Sequence, residues 1–78
     1  MKVRITKPDG NLYEGEATLL QLPGVDGLFE ILNNHAPIVS ALKSGSIRLV
    51  DDHKENLSFD IRGGVVQGEN NDILILVQ

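Results

Sequence analysis

The chain has 78 residues, 41% hydrophobic and 23% charged, so it is one small domain with a single core rather than a disordered segment. Seven Lys+Arg against eleven Asp+Glu leave a net charge of -4. The basic residues Lys2, Arg4, Lys7, Lys43, Arg48, Lys54 and Arg62 are scattered and aromatics are few, which excludes a phosphate-tracking or base-stacking surface for nucleic acid. Cysteine is absent, so no disulfide or thiolate exists, and an intracellular setting is favoured. Met1 opens no signal-peptide pattern, and the longest apolar run, Ile73 to Val77, is too short to span a bilayer.

In chain order the dominant period is two. Met1, Val3 and Ile5 alternate with Lys2, Arg4 and Thr6, which predicts a strand with one buried face. Pro8-Asp9-Gly10-Asn11 predicts a turn. Leu12 to Leu22 is long for one regular strand and its apolar phase slips. Tyr13, Ala17 and Leu19 share one face, Leu20 and Leu22 the other, and Gly15 is the expected bulge. Pro23-Gly24-Val25-Asp26-Gly27 predicts the next turn, followed by the apolar stretch Leu28 to Leu32. Ala36 to Lys43 carries Ile38, Ala41 and Leu42 at helical spacing between Pro37 and Gly45, and reads as a short strand or a single turn. Ser44-Gly45, Asp51 to Asn56, Gly63-Gly64 and Glu69 to Asp72 are further turn signals. Between them Ile47/Leu49 and Leu57/Phe59/Ile61 alternate with polar residues. Ile73 to Val77 is apolar on both faces: either it is covered on both sides, or one face meets a partner. Strand signals at this spacing predict a small all-β sandwich or barrel.

Chemistry-bearing patterns are sparse. His53 lies in Asp51-Asp52-His53-Lys54-Glu55, where a solvated hairpin tip accounts for it. His35 lies in Asn33-Asn34-His35-Ala36-Pro37, with no second group nearby to make a nucleophile–base pair. An ordered loop or a contact with a partner fits it better. No His or Asp/Glu spacing matches a metal site, and no Gly-rich turn opens a helix to cradle phosphate. No cofactor is expected. Leu28-Phe29-Glu30-Ile31-Leu32 reads equally as a core strand or as a strand whose exposed side, with the following loop, forms an interface.

Leu22-Pro23-Gly24-Val25-Asp26-Gly27-Leu28-Phe29, then Ile31 through Arg48 with its Asn-His-Ala-Pro block and Leu-Lys-Ser-Gly-Ser-Ile-Arg, resembles the epsilon subunits of F-type ATP synthases. Ile5 to Glu16 and Gly63 to Leu76 extend the resemblance in order along the chain. It implies a single domain over residues 1–78, all-β, a ten-stranded sandwich of two five-stranded sheets. It implies a non-catalytic rotor subunit of the central stalk that links gamma to the c-subunit ring, so that ion-driven rotation reaches ATP synthesis elsewhere in the complex. The implied setting is peripheral, on the cytoplasmic face of the inner (cell) membrane. By the same resemblance Leu28, Phe29, Glu30, Asn33, Asn34 and His35 face the c ring, and Lys7, His35 and Ser40 face gamma. Two departures stand out. No helical pattern follows the β region, so the C-terminal helical pair of the family, with the regulation and ATP site associated with it, is expected to be absent. Glu30 stands where the family often has Gly. The competing expectation is a small ligand-binding β domain with His35 and acids lining a pocket.

Overall fold

A computed structural model describes all 78 residues. It contains six strands and no helix: β1 (Lys2–Lys7), β2 (Gly10–Gly24), β3 (Gly27–Leu32), β4 (Ile38–Asp51), β5 (Asn56–Glu69) and β6 (Asp72–Val77). They form one sheet in the order β1-β6-β5-β4-β2-β3, and β1 also pairs with β2. That last pairing closes β1, β6, β5, β4 and β2 into a five-stranded barrel. β3 hangs on the barrel through β2 alone. The expectation of ten strands in two sheets therefore meets six continuous strands, because three of them run 14 or 15 residues without a break.

Those long strands explain the slipping phase. On β4 the side chains facing inward are Ile38, Ser40 and Leu42, then Ile47 and Leu49. On β5 they are Leu57, Phe59 and Ile61, then Val66. Each strand changes its inward parity at a corner, and the two corners face each other, since β4 and β5 keep one register from Ile38↔Gly68 to Val50↔Asn56. Ser44-Gly45 and Gly63-Gly64 are thus corners inside strands, not turns between them. Gly64 is required there for close approach: a Cβ on it would collide with the Leu76 carbonyl oxygen. On β2 the slip falls at Thr18–Leu19, where pairing with β4 shifts register, and not at Gly15. A second irregularity, at Leu12, moves β1–β2 pairing from Ile5↔Tyr13 to Thr6↔Asn11. The helical spacing of Ile38, Ala41 and Leu42 mixes two faces of one extended strand: Ile38 and Leu42 turn inward and Ala41 outward, and Ile38 to Lys43 belong to the 14-residue β4.

The four remaining turn signals are real turns, at Pro8-Asp9, Val25-Asp26, Asp52-His53 and Asn70-Asn71. Asn70 and Asn71 have φ of 53° and 63°, the two positive values that a tight hairpin turn asks for. The core is entirely apolar: Val3, Ile5, Leu20, Leu22, Ile31, Ile47, Leu49, Val66 and Ile75 are fully buried, with Tyr13, Phe29 and Phe59 against its rim. No buried side-chain polar atom lacks a partner.

Candidate functional site

β3 is the one strand with a neighbour on a single side. Strict alternation along it turns Ile31 into the core and Phe29 against it, and leaves Leu28, Glu30 and Leu32 outside. Leu28 is 67% exposed and Leu32 53%. Register places Leu32 beside Leu19 of β2 and Leu19 beside Val50 of β4, so the apolar surface continues over three strands. The next row is polar. Glu30 lies beside Gln21, whose Nε2 donates to its Oε2 at 3.4 Å, and Gln21 lies beside Arg48. Glu30 points outward, so the departure from Gly needs no repacking of the turn.

The chain leaves β3 through a turn closed by the His35 N–H donating to the Leu32 carbonyl at 3.2 Å. Asn34 sits in the left-handed region at φ 64°, which Asn tolerates better than most residues. The His35 ring is exposed, and its Nδ1 donates to the Ala36 carbonyl at 2.8 Å. That is the ring's one hydrogen bond, and no carboxylate pairs with it. No group of three His, Asp or Glu side chains gathers to hold a metal ion. His53 lies on the exposed tip of the β4–β5 hairpin, which Asp51 organises by accepting the His53 and Glu55 N–H groups at 2.9 and 2.8 Å.

A second apolar surface lies on the outside of β4, β5, β6 and β1. One cross-strand row runs Ala41, Val65, Leu76, Thr6; the next runs Val39, Gln67, Leu74, Arg4. Val39 is 77% exposed, the most exposed large hydrophobic residue of the chain. The sequence-derived interface sets omit Val39, Val65 and Leu76. Their signal was the Ile73–Val77 run, apolar on both faces: Ile73, Ile75 and Val77 enter the core, while Leu76 faces out. One shallow depression of about 730 Å³ opens at the end of this surface, between Arg4, Pro37, Val39, Gln67, Glu69 and neighbouring residues. His35 does not line it, so the pocket expected of a His35-centred ligand-binding domain is not formed.

The sequence-derived residues divide between these surfaces. Leu28 and Glu30 share the outer face of β3, with Phe29 beneath them; Asn33, Asn34 and His35 form the adjoining turn. Ser40 is in β4 but turned half inward, its Oγ bonded only to the neighbouring Ala41 carbonyl. Lys7 ends β1, past the Thr6↔Leu76 pair, whereas His35 sits by the start of β1. At the rise of an extended strand those two ends are about 17 Å apart. Lys7 and His35 therefore bracket the second surface from opposite ends, and His35 stands where the two surfaces meet.

Comparison with known proteins gives this arrangement a family. Residues 1–78 match the family described as ATP synthase, Delta/Epsilon chain, beta-sandwich domain. The chain belongs to this family. The ATP synthase epsilon chain of Chlorobium limicola is 40% identical over 77 residues, covering 99% of this chain and 88% of that one. The ATP synthase epsilon chain of Thermosynechococcus vestitus is 38% identical over 99% of this chain, which spans 55% of that protein. Among solved structures, a chain of the Euglena gracilis mitochondrial ATP synthase, determined with OSCP, F1 and c-ring, superposes with a TM-score of 0.85 at 16% identity. The superposition covers 96% of this chain and 48% of that chain, and it is a likeness of fold. In the terms of the delta/epsilon β-sandwich domain, this chain supplies the all-β scaffold and two exposed apolar surfaces. No helix in it is long and apolar enough to cross a membrane.

Proposed function

We propose that this chain is a non-catalytic rotor element of an F-type ATP synthase central stalk, joining a gamma subunit to the ring of c subunits. The observation that carries this reading is the match to the delta/epsilon β-sandwich domain over all 78 residues. The geometry adds two exposed apolar surfaces on a scaffold with no unpaired buried side-chain polar atom. A coupling element needs two contacts and stiffness between them. The β3 face with Leu28, Glu30, Asn33, Asn34 and His35 takes the c ring. The β4–β5–β6 face between His35 and Lys7, beside Ser40, takes gamma. The closed barrel between the faces transmits torque because each of its strands is held on both sides. The long strands, bent at Thr18–Leu19, Lys43–Gly45 and Ile61–Gly64, are read as passing between two facing layers, the finer two-sheet form of the family fold. The site of action is peripheral, at the cytoplasmic face of the inner (cell) membrane, with rotation driven by ions passing elsewhere in the complex.

Size-exclusion chromatography of the purified chain with gamma from the same source tests the reading. Co-elution as a one-to-one complex, weakened by His35→Ala, supports it. Two folded proteins that elute apart contradict it.

A further inference from the structure

The turn that carries Asn33, Asn34 and His35 is held from outside its own strand. The Asn34 N–H donates to Oδ1 of Asn71, at the tip of the β5–β6 hairpin, at 2.8 Å. Only the oxygen of that amide can accept, so the bond fixes which way the Asn71 side chain faces. The Asn71 backbone carbonyl accepts the Lys2 N–H at 2.9 Å, which ties the same hairpin tip to the start of β1. One residue earlier, Asn33 Oδ1 accepts a hydrogen bond from the Met1 ammonium, which also donates to the Ala17 carbonyl at 3.0 Å. The two asparagines of the turn are thus clipped to the barrel, each by a partner more than thirty residues away. Asn34 and Asn71 both occupy the left-handed region, at φ 64° and 63°. Backbone in that region persists when its surroundings determine it, and the Asn34–Asn71 bond is such a determinant.

We infer that Asn71 is a positioning residue for the c-ring contact: it holds the Asn33–His35 turn in its binding geometry without touching the partner. The inference rests on the rotor reading of the β3 face. It makes the β5–β6 hairpin tip, which no interface set includes, part of the contact's machinery. Its physical role is preorganisation. A turn ordered before encounter loses less conformational freedom on binding, and the association is tighter by that amount. The side chain does this through one acceptor oxygen, so the chemistry required at position 71 is narrow. It must tolerate positive φ and present an sp² oxygen to the Asn34 N–H. Asp meets both requirements; Gly meets the first alone.

The test compares Asn71→Gly, Asn71→Asp and Asn70→Gly with the unaltered chain. Asn70 shares the turn and its positive φ but its side chain makes no hydrogen bond, so Asn70→Gly controls for backbone effects at the tip. Amide hydrogen exchange reads the turn, and binding to purified c ring from the same source reads the contact. Asn71→Gly is expected to speed exchange at Asn34 and weaken c-ring binding, each about two- to tenfold, the effect of one lost hydrogen bond. Exchange at Val66 and Ile75 stays unchanged, which separates a loosened turn from a loosened barrel. Asn71→Asp and Asn70→Gly keep both turn exchange and binding near the unaltered values. Unchanged exchange at Asn34 in Asn71→Gly overturns the clip. Faster exchange with unchanged c-ring binding overturns its positioning role while leaving the rotor reading intact. An unaltered chain that does not bind the c ring removes the rotor reading, and the positioning role with it.

Discussion

The barrel and the β3 arm follow opposite rules. In the barrel every strand is paired on both sides, and its inward residues Val3, Ile5, Ile47, Leu49 and Ile75 are fully buried. β3 has one partner, a single fully buried side chain in Ile31, and leucines at 67% and 53% exposure. Exposed apolar side chains on an otherwise well-ordered strand contribute little to folding, so they mark surface available to a partner. Stability rests on the inward side chains of the barrel, whereas contact is left to outward ones, on β3 and on the outer rows of β4, β5 and β6. Substitutions should therefore sort into those that unfold the chain and those that leave it folded but unable to bind.

The largest expected effect breaks the barrel. Ile47→Ala removes a fully buried side chain from the second half of β4 and should cost about 2–5 kcal/mol in urea unfolding. Loss of more than half the stability of so small a domain is within that range. Gly64→Ala comes next. Its Cβ collides with the Leu76 carbonyl, a backbone atom, so the β5 and β6 strands must separate, at about 1–3 kcal/mol in the same measurement. A cost near zero would show that the corner is looser than its geometry implies.

Tyr13 sharpens the comparison through pH. Its ring meets Phe59 at a centroid distance of 5.7 Å, and burial, then the charges of Asp51, Asp52 and Glu16, raise its phenol above the ordinary value of 10.0. A raised acid is held neutral in the folded state. Its contribution is therefore fully present below pH 10.0 and is lost as pH rises through the higher folded-state value. Unfolding followed across that window should show stability falling, with the slope diminished in Tyr13→Phe. The smallest effect on stability belongs to the β3 arm. Leu28→Asp and Glu30→Lys sit on solvent-facing positions and should change unfolding by no more than about 0.5 kcal/mol. Both should weaken c-ring binding measured on the same samples.

Much of this was readable from the residues. Alternation in Met1–Ile5, Ile47–Leu49 and Leu57–Ile61 located the core-facing residues, because a strand with one wet face writes its burial into every second position. Four of the six turn signals were turns. Ser44-Gly45 and Gly63-Gly64 were not, because a glycine that lets a strand bend looks the same in sequence as one that ends it. That ambiguity hid the strand count, whereas Ile38, Ala41 and Leu42 looked helical because Ala41 puts an apolar residue on the outer face of the strand. The β3 face was legible as an alternative, since Leu28 to Leu32 alternates only weakly. The Val39–Val65–Leu76 face was legible only through the Ile73–Val77 run, apolar on both faces, because its other members come from strands that register alone brings side by side. The Asn34–Asn71 bond was out of reach for the same reason: nothing local links residues 37 apart.

A rotor element of the kind proposed uses its two apolar faces for two different partners. Photo-cross-linking in the assembled enzyme tests it most directly, with a benzoyl-phenylalanine replacing Leu28 in one sample and Val39 in another. Position 28 is expected to cross-link to a c subunit and position 39 to gamma. Both positions joining the same subunit, the reverse assignment, or no cross-link from either in an enzyme that still assembles would contradict it.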